Sequence, residues 1–258
     1  MGGAGQPHQS TPNTQGRVGF EAASDVYERG RPGYQQDLVA FVVDRAGIHQ
    51  GTRVLDLAAG TGKFTRELLR FGARCVAVEP SASMREVLSR TVPGVPVIAG
   101  IGEAIPLRAG SMEAVVVAQA FHWFDPAVAL PEIARVLRPG GVLSLVWNER
   151  DERDPVMIEL NRMTRWDKCM PYPVGMDFSP IIDASHRFGP VTRSEFHFTQ
   201  PLDRPALVDQ VASRSYVRVL PDDERAAFLA EVAAFADTLA EPIVMPYNTQ
   251  LFTATVAN

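Results

Sequence analysis

Arg53-Val54-Leu55-Asp56-Leu57-Ala58-Ala59-Gly60-Thr61-Gly62 is the stretch on which the reading of this chain turns. Val54, Leu55 and Leu57 form a short apolar run that predicts a buried strand, and the run stops at small residues. Gly60 and Gly62 allow a tight turn and let backbone N–H groups approach a ligand. The helix expected from about Lys63 aims its positive N-terminal end at the same place. A second apolar run, Cys75-Val76-Ala77-Val78, ends at Glu79. An acid there is placed to hold a ribose through both hydroxyls, which implies a nucleoside-bearing cofactor.

A dinucleotide fingerprint requires a third glycine where this chain has Thr65. Asp56, moreover, lies inside the apolar run, and a buried carboxylate needs hydrogen-bond partners or a cation. The ammonium and sulfonium of S-adenosylmethionine are such cations. On these residues the chain resembles the class I S-adenosylmethionine-dependent methyltransferases, whose first motif is an acid followed by small residues and glycines. Ala58 and Ala59 stand where that family often has glycine and another small residue.

From residue 53 the periodicity alternates: strand 53–57, helix 63–71, strand 74–78, helix 82–90, strands 95–99 and 113–118, helix 126–137, strand 142–147. Before it, Leu38, Val39, Val42 and Ala46 recur at helical spacing up to Gly47, and Pro139-Gly140-Gly141 reads as a turn. Such alternation implies an α/β fold with a parallel sheet covered on both faces and a ligand at the carboxyl ends of its strands. Later segments predict a helix at 153–166, a strand at 192–199, two helices within 204–240 and a strand at 249–256. The resemblance implies a Rossmann-like, seven-stranded, mostly parallel sheet closed by an antiparallel C-terminal strand, with a helical insert as a lid. Residues 1–19 read as a disordered tail and 20–258 as a single domain. Within it, 20–150 is the cofactor-binding core, and 151–191 and 204–240 are lid insertions over the substrate.

At 258 residues, 46% hydrophobic and 21% charged, the chain has the composition of a soluble globular protein. Its formal net charge of −5 speaks against a nucleic-acid partner. Cys75 and Cys169 are far apart and form no metal-ligand cluster, so no metal is expected. There is no apolar run long enough to span a membrane and no secretion-signal pattern, so a cytoplasmic monomer or homodimer is expected.

The resemblance also assigns site residues. From the first motif and the helix after it come Asp56, Ala58, Gly60, Thr61, Gly62 and Phe64. Glu79, Pro80 and Met84 follow the second strand, and Gly102, Glu103 and Ala104 follow the third, near the adenine. Gln119 and Ala120 follow the fourth. Tyr27 and Arg31, in a Gly/Pro-punctuated arm, are placed to close over the methionine carboxylate. His122 is either a general base or a packing residue between Phe121 and Trp123; the packing or cofactor-shell role is favoured. Trp123, Trp147, Trp166 and Tyr216 are candidate walls for the methyl acceptor, although ordinary core or lid packing is the favoured reading for any one such aromatic taken alone. The Asn/Asp-Pro-Pro-aromatic motif of amino-group methyltransferases is absent after the fourth strand. The run Ala118-Gln119-Ala120-Phe121-His122-Trp123-Phe124 instead resembles the type 11, small-molecule branch that includes trans-aconitate and ubiquinone/menaquinone methyltransferases. That implies O- or C-methylation of a small molecule. Two other readings stay open: a non-catalytic S-adenosylmethionine-binding or regulatory protein, and a nicotinamide-dependent oxidoreductase, which the missing third glycine disfavours.

Overall fold

The computed structural model describes Glu28, residues 33–164 and residues 175–257, except for the side chains of Ser215 and Tyr216. The expected tail 1–19, Tyr27, Arg31, Trp166 and the side chain of Tyr216 therefore lie outside the described residues.

The stretch Arg53–Gly62 is a strand inside the sheet followed by a loop. β1 (Arg53–Leu57) pairs in parallel with β2 (Arg74–Val78) on one side and β4 (Met112–Ala118) on the other. Beyond β2 lies the short β3 (Val97–Ile98), and beyond β4 lies β5 (Leu137–Arg150). β7 (Ile243–Thr255) runs antiparallel between β5 and β6 (Thr192–Leu202), giving the order β3-β2-β1-β4-β5-β7-β6. Strands buried on both faces need apolar side chains in both directions. Val54, Cys75, Val116, Val146 and Leu251 accordingly pack under α1 (Gln36–Arg45) and α2 (Lys63–Arg70). Leu55, Leu57, Val117, Leu145 and Phe252 pack under α4 (Pro126–Val136) and α6 (Ser179–Ala184) on the other side. α3 (Ala82–Thr91) follows β2 and covers Ala77 with Leu88 and Val92. The chain leaves β1 toward β2 on one side and reaches β4 on the other. This change of direction opens a crevice at the carboxyl ends of the central strands.

Local chemistry sets most boundaries. Ser81 caps α3 by accepting from the Met84 N–H, and Asp125 caps α4 by accepting from the Ala127 N–H, with Pro126 in the first turn. The Pro139-Gly140-Gly141 turn is a bulge within β5, whose pairing jumps from Met112↔Leu137 to Ala114↔Val142. Several strands differ from expectation at prolines: β6, for one, runs through Pro201 to Leu202 rather than stopping at 199. β3 shrinks to two residues because Pro96 has no N–H to donate, although its carbonyl still accepts from Ala77. β7 starts at Ile243 rather than 249, since Pro246 stands where β5 has run out, and its carbonyl accepts from the Asp151 N–H at 3.0 Å.

The insert after β6 contains three helices rather than two: α7 (Arg204–Ala212), α8 (Ser215–Arg218) and α9 (Asp222–Asp237). With α5 (Pro155–Met163) they enclose a second small core around Met157, Leu160, Leu207, Val211, Val232 and Met245. The register places that core on the far ends of β6 and β7, where Leu202 pairs with Ile243, well past the end of β4. The helical layer thus stands on the carboxyl side of the sheet, the same side as the crevice.

Candidate cofactor and methyl-acceptor site

The loop after β1 is built from residues in the left-handed region. Ala58, Gly60 and Gly62 have φ of 57°, 58° and 83°. The two glycines serve different ends. A Cβ on Gly62 would lie 2.8 Å from Leu88 Cγ and 3.0 Å from Val92 Cγ2, so Gly62 lets α3 pack against the start of α2. A Cβ on Gly60 would meet only Met84 Sδ, at 3.7 Å, so Gly60 leaves the loop open toward a cavity. Ala58 is a non-glycine residue in this region, and such strain persists only where the surroundings over-determine it.

Glu79 ends β2 and is only 6% exposed. Its Oε2 accepts from the Gly60 N–H at 2.9 Å and its Oε1 from the Ser81 N–H at 2.8 Å. These two bonds fix the plane of the carboxylate and tie β2 to the glycine loop. Asp56 lies beneath that loop with Thr65 donating to its Oδ2, while its Oδ1 is buried without a hydrogen-bond partner among the described residues. Burial pushes the Asp56 carboxyl up to about 6 and the charge of Glu79 adds to the rise, against the lowering effect of the Thr65 hydrogen bonds.

A cavity of about 290 Å³ opens beside the loop. Ala58, Gly60, Glu79, Pro80, Met84, Gly102, Glu103, Gln119, Ala120 and Trp123 line it. All of these were candidates in the sequence, and the fold brings them into one wall. Gln119, with φ 59°, is a second strained non-glycine residue there, and its Nε2 donates to the Asn148 carbonyl at 3.1 Å. The remaining described candidates sit behind the wall. Asp56, Thr61, Gly62 and Phe64 underpin the loop: Thr61 donates to the Glu28 carboxylate, which Lys63 and Arg66 also hold, and the Phe64 ring packs against Tyr34 at 4.7 Å. Ala104 N–H bonds back to the Ile101 carbonyl. The His122 ring lies between two indoles, 4.4 Å from Trp123 and 4.8 Å from Trp147, and Trp147 in turn meets Phe178 at 5.5 Å.

Leu57, Ser81, Gly100, Ile101, Ala118 and Phe124 also line the cavity and were not singled out in the sequence. Leu57 and Ala118 are the last residues of β1 and β4, so the strand ends themselves were the available signal. The run quoted after the fourth strand holds several rings, and nothing in it singled out Phe124. Its ring lies so close to Gly102 that a Cβ there would come within 2.9 Å of it, a contact between segments far apart in the chain. Glu103 Oε1 accepts from the Asp125 N–H at 2.8 Å, a second link to the same segment. Among the described residues no group of three or more metal-capable side chains occurs, and no helix is long and apolar enough to cross a membrane.

Residues 55–145 match a family model described as a methyltransferase domain. An uncharacterized methyltransferase of Mycobacterium tuberculosis is 41% identical over 93% of this chain and 96% of its own length. An uncharacterized methyltransferase-like protein of Schizosaccharomyces pombe is 33% identical over 88% of this chain and 91% of its own. Among solved structures, a putative methyltransferase from an antibiotic biosynthesis pathway of Anabaena variabilis shares the fold. Its TM-score is 0.63 at 20% identity, covering 86% of this chain and 98% of that one.

Proposed function

Since the chain belongs to the methyltransferase family, with S-adenosylmethionine as its cofactor, we propose that it methylates a small-molecule acceptor, at oxygen or carbon, beside Trp123. When bound, the cofactor supplies a methyl group on a positively charged sulfur. The residues present suit it. Glu79 spends one acceptor site per oxygen on Gly60 and Ser81 and keeps one per oxygen for the two ribose hydroxyls. Gly60 leaves room for the amino-acid tail, and the buried negative charge of Asp56 below the loop favours an ammonium there. Met84 and the 102–104 turn would flank the adenine. Tyr27 and Arg31 would close over the cofactor carboxylate.

On the acceptor side the chain's task is alignment and exclusion of water. Trp123 lines the cavity, and His122, tilted against it with Trp147 edge-on behind, stiffens it; an indole in that place favours an apolar or aromatic acceptor. His122 acts in this reading as a packing residue. Trp166, Tyr216 and the helical layer of α5 and α7–α9 would complete the acceptor pocket as a lid, whereas α6, within the expected insertion 151–191, packs on the sheet instead. The observation that carries the assignment is the braced Glu79 carboxylate at the edge of the strained loop. Its test is incubation with methyl-labelled S-adenosylmethionine and a metabolite extract, followed by size fractionation. Label in a low-molecular-mass product is expected. Label only in RNA or protein refutes the acceptor class, and saturable cofactor binding with no transfer to any fraction favours a non-catalytic binder.

A further inference from the structure

The cavity-lining stretch from Gly100 to Glu103 belongs to a turn that continues through Leu107, and one ion pair on α4 grips that turn by its backbone. Glu132 and Arg135 are one helical turn apart and form a two-pronged pair, Nε to Oε1 at 2.7 Å and Nη2 to Oε2 at 2.8 Å. The outer atoms of the same pair reach the turn. Glu132 Oε2 accepts from the Ile105 N–H at 3.0 Å. Arg135 Nη1 donates to the Leu107 carbonyl at 2.8 Å and Nη2 to the Ile105 carbonyl at 2.9 Å. From its other end the turn is pinned by Glu103 on the Asp125 N–H and by Gly102 against the Phe124 ring, so both anchors lead back to α4 and its cap. A partly exposed pair at this spacing adds little stability by itself. Its consequence lies in the three main-chain groups that it holds.

We propose that Glu132 and Arg135 are positioning residues for cofactor recognition. They hold the 101–107 turn in the conformation in which its cavity-side backbone matches the base edge of an adenine. The inference rests on S-adenosylmethionine as cofactor and concerns residues that line no part of the cavity. Adenine presents a donor and an acceptor side by side, and hypoxanthine reverses both. A turn fixed in place tells them apart because a mismatched base leaves buried polar groups unpaired; a loosened turn readjusts. Arg is needed for this grip, since only a planar fork meets a carboxylate and two carbonyls at once.

The test is titration calorimetry with S-adenosylhomocysteine and S-inosylhomocysteine on the wild type, Arg135→Ala and Glu132→Gln. The wild type is expected to prefer the adenine ligand at least about tenfold. In Arg135→Ala that preference falls to about threefold or less, and the cofactor KM rises while kcat at saturating cofactor stays within about twofold. Glu132→Gln, which keeps the side-chain volume, shifts the preference the same way and decides the matter should Arg135→Ala not fold. A folded variant whose base preference is unchanged overturns the proposal even if its melting temperature drops, because a purely structural role would do that alone. A wild type that binds both ligands equally overturns it as well. A wild type that binds neither points instead to a failure of the cofactor assignment.

Discussion

Glu79→Gln is the most demanding single perturbation of this site. The substitution keeps volume and planarity but removes the charge and one of two acceptor oxygens. In the wild type each oxygen already accepts one backbone N–H, from Gly60 at 2.9 Å and Ser81 at 2.8 Å. One further lone pair per oxygen is left for a ribose hydroxyl. The glutamine can serve one N–H and one hydroxyl through its remaining oxygen, while its amide nitrogen is set against the other N–H, donor facing donor. A hydrogen bond to a charged group contributes about 1.5–3 kcal/mol, so S-adenosylhomocysteine should bind roughly 10- to 150-fold more weakly. Calorimetry with the 2′-deoxy and 3′-deoxy forms of the ligand completes the cycle. At least one missing hydroxyl should weaken binding to the wild type strongly yet cost the variant less than about 0.5 kcal/mol more. Two results refute the reasoning: an affinity within about twofold of wild type, or losses from protein and ligand changes that simply add. A melt of the ligand-free variant separates loss of contact from loss of fold.

Three further outcomes follow from the same geometry. Burial holds the Asp56 carboxyl at about 6 against 3.8 for an exposed aspartate, so in that interval the folded ligand-free protein keeps a proton that the unfolded chain has released. The stability linked to this group is full below the lower value and lost as pH rises through the upper, by at most about 3 kcal/mol. Asp56→Asn should therefore gain on the wild type in urea titrations as pH rises from about 4 to about 6 and hold that gain above, and a pH-independent difference contradicts this. Gly62→Ala puts a Cβ 2.8 Å from Leu88 at φ 83° and should cost about 2–4 kcal/mol of stability. Gly60→Ala should cost about 1 kcal/mol but weaken cofactor binding at least tenfold; denaturation and calorimetry giving the opposite ranking would sink the division of roles between the two glycines. His122→Gln should leave kcat within about tenfold and the pH–rate profile intact, whereas a fall of about 10²- to 10⁴-fold would make His122 a proton-transfer group.

The boundaries of β1, β2, α2 and α3 were legible because each depends on neighbours in the chain: an apolar run, an acid at its end, a glycine that permits positive φ. Prolines misled the same reasoning at β3 and β7. At Pro96 the lost N–H trims an edge strand, but residues 243–246 of β7 stay in the sheet because residues 199–202 of β6 pair with them. The insert at 204–240 read as helical, yet its seat on the overhanging ends of β6 and β7 depends on how far those two strands pair, down to Leu202 and Ile243.

By itself the amino-acid order determined an alternating α/β fold, a loop of small residues after the first strand, and an acid at the tip of the second. Periodicity, caps and turn residues are local properties, and local properties survive in a one-dimensional record. Tertiary structure alone decided what those residues face. The Glu79 carboxylate is spoken for by Gly60 as well as by its own neighbour, Gly62 serves the packing of α3, His122 lies between two indoles, and an ion pair on α4 grips the turn after β3. Each of these depends on hydrogen bonds or close packing between segments far apart in sequence, whose partners are chosen only when strand register and helix docking have brought them within about 3–4 Å.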